Sequence, residues 1–137
     1  MISTPKRVDR DVVADWASIA ALAADDKQAL DTVVLEVGAV LAITDFFVIT
    51  SATNSRQVRT IAEYVEERLK EEGGPLPLRV EGRSDLTWVL LDYGDLVVHV
   101  FLDEIRRFYD IERLYRDVRR VEWEPLARAG RPDDRAG

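Results

Sequence analysis

Residues 88–101 read WVLLDYGDLVVHVF, two apolar, β-branched halves set around Gly94-Asp95. That pattern predicts a hairpin with its turn at Gly94-Asp95. The hairpin's two faces are what the rest of the chain must either cover or leave open. Side chains alternate across a strand, so a two-residue turn puts Val89, Leu91, Tyr93, Leu96, Val98 and Val100 on one face. That face is almost wholly apolar and suits packing against a helix. The opposite face carries Trp88, Leu90, Asp92, Val97, His99 and Phe101, mixing aromatic and aliphatic groups with a carboxylate and the only histidine. It reads as a binding surface, with the aromatics as anchors. It reads equally as a second core layer under a helix, with His99 hydrogen-bonded inside it.

The remaining elements follow from periodicity. After Thr4-Pro5, Val12, Val13, Trp16, Ile19, Ala20 and Ala23 recur at helical spacing. TVVLEV (32–37) and FFVITS (46–51) have strand composition, the second apolar enough for a central position. Asn54-Ser55 offers an N-cap for a helix whose stripe is Val58, Ile61, Ala62, Val65 and Leu69, stopped by Gly73-Gly74-Pro75. Glu66 and Lys70 are placed to pair on its exposed side. LRVEG (78–82) is a short strand. DEIRRFYDIERLYRDV, with Asp103 as cap and Ile105, Phe108, Ile111, Leu114 and Tyr115 as an apolar side, predicts a closing helix. The expectation is one α+β domain over residues 9–123, a sheet of about five strands with flanking helices. Residues 1–8 are expected to be flexible, and 124–137, rich in Pro, Gly, Arg and Asp, to form a disordered tail.

Composition narrows the function. With no cysteine and one histidine among 137 residues, neither a disulfide framework nor a cysteine zinc site is available. No apolar stretch approaches the length of a membrane span, and MISTPKRVDRD lacks the core of a secretory signal, so a cytoplasmic protein is expected. The net charge of −7 argues against a protein that holds nucleic acid mainly by neutralising phosphates. The acidic excess lies before residue 103, and the arginines from Arg106 to Arg120 belong to a segment, 103–137, that holds nine acidic and nine basic side chains. They read as a solvated helix face, with RNA contact at most secondary.

No catalytic constellation emerges. Asp92 and Asp95 flank a turn, where aspartate serves the backbone, and no Asp-x-Asp faces a Gly-Ser phosphate loop. TSATNS before the second helix suits capping better than anion binding. No GxSxG elbow presents a serine to His99. No cofactor, metal or catalytic residue is expected.

Taken together, DDKQALDTVVLEV, TDFFVITSATNSRQV, the VEG strand, WVLLDYGDLVVHVF and RRFYDIERLY run in unbroken order from about Ala20 to Arg116. In these linked motifs the chain resembles the ribosomal silencing factor S, or iojap-like, family. The resemblance implies a fold like the nucleotidyltransferase core without its catalysis. It also implies binding to the fourteenth protein of the large ribosomal subunit, which blocks joining of the subunits when nutrients are scarce. Carried over by position, it marks Thr44, Asp45, Glu81, Trp88, Asp92, Asp95, His99 and Phe101, with Leu90 added from the mixed hairpin face; Gly82 and Tyr93 also match, Tyr93 as core. Where relatives often carry more polar residues, Gly38 to Ile43 read GAVLAI here, a departure compatible with a homodimer of the free protein.

Overall fold

In a computed structural model of the protein, which describes residues 9–124, Asp9 caps the first helix by accepting from the backbone N–H of Asp11 at 2.8 Å. This helix, α1, is Arg10–Asp26. The chain then runs through β1 (Leu30–Glu36), β2 (Phe46–Ala52), α2 (Ser55–Glu71), β3 (Arg79–Glu81), β4 (Trp88–Asp92), β5 (Leu96–Leu102), α3 (Asp103–Tyr109), a 3-10 turn (Ile111–Tyr115) and β6 (Arg119–Val121). The helix entrance expected at Thr4-Pro5, the flexible N-terminus and all but the first residue of the expected tail lie outside the described residues.

The six strands form one mixed sheet in the order β3-β4-β5-β2-β1-β6. β2 and β5 pair in parallel at its centre, and every residue of β2 is buried, as its apolar run predicts. The other ladders are antiparallel. One strand more than the expected five is present. β6 adds to β1 through Arg119–Val121, a segment whose alternation is too short and too charged to announce a strand.

α1 and α2 cover one face of the sheet. Their alanine and valine stripes pack on Val34, Phe46, Val48, Val89, Leu91, Leu96, Val98 and Val100. Asn54 caps α2, its side chain accepting from Gln57 N–H at 2.9 Å. Glu66 turns away from Lys70 and receives both contacts of Arg83 Nη2, at 2.7 and 2.8 Å, tying the loop after β3 to α2.

The second face is covered only in part, and the closing segment explains why. Asp103 is the first residue of α3 instead of its cap. The helix ends after seven residues at Asp110, whose backbone is left-handed (φ 46°), and continues as a 3-10 turn. The change of pitch breaks the expected apolar stripe. Ile105, Ile111 and Tyr115 pack on Leu35, Val37, Phe47, Ile49 and Phe101, whereas Phe108 and Leu114 are exposed.

Candidate partner-binding face

The hairpin register follows the two-residue turn. Tyr93 N–H donates to Leu96 C=O at 2.8 Å, and Trp88, Leu90 and Asp92 lie opposite Phe101, His99 and Val97. All six therefore share the face away from α1 and α2, and both readings of it hold at different ends. At the Phe101 end, α3 and the 3-10 turn form a roof. Trp88 is half-buried there, 4.6 Å from Phe101 and 5.2 Å from Tyr109 between ring centres. At the Leu90 end the face is open, forming a groove of about 400 Å³ lined by Leu41, Phe47, Leu90, Val97, Thr44 and His99, with Arg79, Glu81 and Asp92 also on its walls. Two exposed apolar side chains also line it, Ile43 at 82% exposure and Leu78 at 76%. Ile43 belongs to the apolar GAVLAI segment. This segment is held in place by Val37 and Gly38 N–H donating to Asp45 C=O, and by Asp45 and Phe46 N–H donating to Asp95 C=O in the hairpin turn.

Of the residues singled out in the sequence, Thr44, Glu81, Leu90, Asp92 and His99 meet in this groove. The others lie outside it. Phe101, expected as an anchor, is wholly buried and serves as the floor beneath Trp88. Asp45 is buried, with its carboxylate 3.6 Å from Arg10 Nη2. Asp95 acts through its backbone, as above. Asp92 is already engaged: one carboxylate oxygen accepts from Gly94 N–H at 2.9 Å and the other lies 3.3 Å from Arg79 Nη2. Arg79 also stands 3.5 Å from Glu81. The wall bearing these three is thus a small ionic cluster, two carboxylates around one guanidinium.

His99 is the buried centre of the face, 5% exposed. Phe47 meets it edge-on at 4.7 Å, and its Nδ1 accepts from Trp88 Nε1–H at 3.2 Å. That bond assigns the proton of the neutral ring to Nε2. Burial pushes the imidazole down to about 4 from the usual 6.5, so the ring is neutral at physiological pH. Keeping it neutral makes stability depend on pH. The contribution is fully present above pH 6.5, where the unfolded ring is also neutral, and is lost as pH falls through 6.5 towards 4. The expected loss at pH 4.5 is about 2–3 kcal/mol. Denaturant midpoints at pH 7 and 4.5 should therefore differ more for the wild type than for His99→Asn; parallel losses would show that the ring is not held neutral.

Sequence reasoning missed Arg106. It was read with the solvated arginines, but its guanidinium is buried and unavailable to RNA. The ladder between β1 and β2 slips between Leu30 and Val33, and Arg106 donates to Leu30 C=O (3.1 Å) and Asp31 C=O (2.7 Å) there, as well as to Ser51 Oγ and Glu112. It thereby locks α3 onto the sheet. Only the bulge, invisible in composition, signals the need for such a donor.

The sequence model described as "Ribosomal silencing factor during starvation" matches residues 11–136. The chain belongs to the ribosomal silencing factor family. Among relatives, the ribosomal silencing factor RsfS of Halalkalibacterium halodurans is 39% identical over 106 residues, covering 77% of this chain and 90% of its own. The mouse protein named "Mitochondrial assembly of ribosomal large subunit protein 1" is 32% identical over 92 residues, 65% of this chain and 40% of its own. A crystal structure of a Chromobacterium violaceum protein superposes with a TM-score of 0.72 at 32% identity, covering 75% of this chain and 85% of that one. The family's α+β architecture is thus the one found here. No helix among the described residues is long and apolar enough to cross a membrane.

Proposed function

We propose that this protein represses translation in the cytoplasm by binding the large ribosomal subunit through its fourteenth protein, so that the bound factor sterically prevents the small subunit from joining. The mechanism is occlusion and involves no bond chemistry, cofactor or metal. The observation that carries the reading is the groove. Five of the residues that the family motif and the mixed hairpin face single out converge on one open, apolar-lipped face of an acidic protein of net charge −7. Such a surface suits a basic protein partner: apolar lips supply the desolvated centre, and the acidic field speeds encounter with ribosomal proteins. A large-subunit role in the name of the mouse relative points the same way.

The test is co-sedimentation with isolated large subunits, followed by the effect of the protein on their association with small subunits. Leu90→Arg changes a half-exposed groove residue that belongs to neither buried cluster. It is expected to weaken binding by roughly 30-fold or more, as hot-spot losses do, with an unchanged circular dichroism spectrum. Added salt should slow encounter only modestly, without the steep slope of phosphate neutralisation. Failure of the intact protein to sediment with large subunits would end the ribosomal reading, and a steep salt slope would transfer it to RNA.

A further inference from the structure

Three buried side-chain polar atoms among the described residues have no hydrogen-bond partner in the protein: Thr44 Oγ1, Tyr93 Oη and His99 Nε2. Buried polar groups are ordinarily paired, because an unmade bond forfeits the hydration of the group with nothing in return. Tyr93 sits on the helix-packed face, its hydroxyl pushed further up by burial, and does not line the groove. The other two line the groove together, on residues that are 3% and 5% exposed. His99 cannot relieve its orphan by changing tautomer. The indole N–H of Trp88 already occupies Nδ1, which leaves Nε2 as a fixed donor. The backbone that carries Thr44 is held beside the groove, because Asp45 and Phe46 next to it are bonded to the hairpin turn.

We propose that the inner end of the groove is a hydrogen-bonding seat for amide oxygen of the bound polypeptide, main-chain or side-chain, received by His99 Nε2–H with the Thr44 hydroxyl as a second contact. This rests on the reading of the groove as the partner-binding face and adds what selects the partner. The acidic wall attracts any basic peptide. The seat favours a segment that brings an acceptor between the apolar walls, since any other would leave the two buried polar groups unpaired. Trp88 is then a positioning residue, fixing the ring that donates. A small hydroxyl-bearing side chain at position 44 and a neutral ring at position 99 are what this role requires.

Titration of the purified protein with isolated large subunits, alongside thermal melts, tests the seat. Thr44→Val removes the hydroxyl at constant shape. It should melt at or above the wild-type temperature yet bind about 10-fold more weakly, the loss of one buried hydrogen bond and its desolvation. His99→Gln sets an amide N–H near the Nε2 position and should keep affinity within about threefold, whereas His99→Asn sets its amide near Nδ1 and should lose about 10-fold. Tyr93→Phe deletes the orphan outside the groove and should leave binding unchanged. If Leu90→Arg abolishes binding while Thr44→Val and His99→Asn stay within twofold of wild type, the face stands and the seat is overturned, water satisfying both atoms instead. Weakening that appears only with a lowered melting temperature overturns it as well. If Leu90→Arg binds like wild type, the face and the seat fall together.

Discussion

Replacing Arg106 with methionine is expected to remove about 3–5 kcal/mol of stability, the usual consequence of breaking a buried charge network by deleting one member. Methionine fills similar space, so the loss isolates the polar role. Without the guanidinium, the carbonyl of Asp31 at the β1 irregularity loses its donor, that of Leu30 keeps only the longer contacts of the Thr50 and Ser51 hydroxyls, and Glu112 is left without its cation. The effect should spread to the partner-binding face, because α3 carries Tyr109 against Trp88. Guanidinium denaturation read by circular dichroism measures it: the midpoint should fall with an unchanged slope. A change below about 1 kcal/mol would show that water replaces the arginine at these carbonyls.

Gly82→Ala is expected to be comparably severe for a different reason. Gly82 has φ +89°, and a β-carbon there would lie 1.9 Å from the carbonyl oxygen of Trp88 and 2.9 Å from its carbonyl carbon. Both obstacles are backbone, so no rotamer change relieves them. Either β3 peels from β4 or the Trp88 peptide moves, and each displaces one side of the groove. With the additional penalty of a left-handed non-glycine residue, a loss of about 3 kcal/mol or more is expected, lowering the melting temperature by roughly 10 °C. Large-subunit binding should weaken alongside it. A melting temperature within about 2 °C of wild type would mean that the backbone yields at little cost.

Much of this architecture was legible in the residues because local rules agreed with one another. The Gly94-Asp95 turn set the hairpin register, and from it followed which side chains share a face. The stripe of α2, its Asn54 cap and the double-glycine stop left little choice about that helix. Where reasoning from sequence fell short, non-local geometry decided. β6 exists because β1 offers it an edge, and its own residues hardly ask for pairing. The 3-10 turn follows a left-handed Asp110, a conformation aspartate permits without announcing. Of the candidate site, Leu90 and His99 were readable from alternation alone. Phe101 shares their face, but its burial depends on where α3 lands after the turn from β5. Arg106 was hidden for the complementary reason: an arginine in a charged segment looks solvated until the bulge that needs it is known.

The parallel pairing of β2 with β5 also governs how the chain reaches this state. Phe46 meets Leu96 and Ala52 meets Leu102, so each contact of the central ladder closes a loop of fifty residues that includes α2, β3 and β4. Local pieces such as α2 and the β4–β5 hairpin can form early, but the ladder that joins the two halves carries the loop-closure entropy of the whole intervening segment. On a chain emerging from N to C terminus, β2 has β1 on one side and no neighbour on the other until residue 102 has cleared the exit. An apolar central strand with an open edge invites association with other chains during that interval. Closure of the central ladder therefore waits for the strand that also carries His99, with α3 and β6 still to follow.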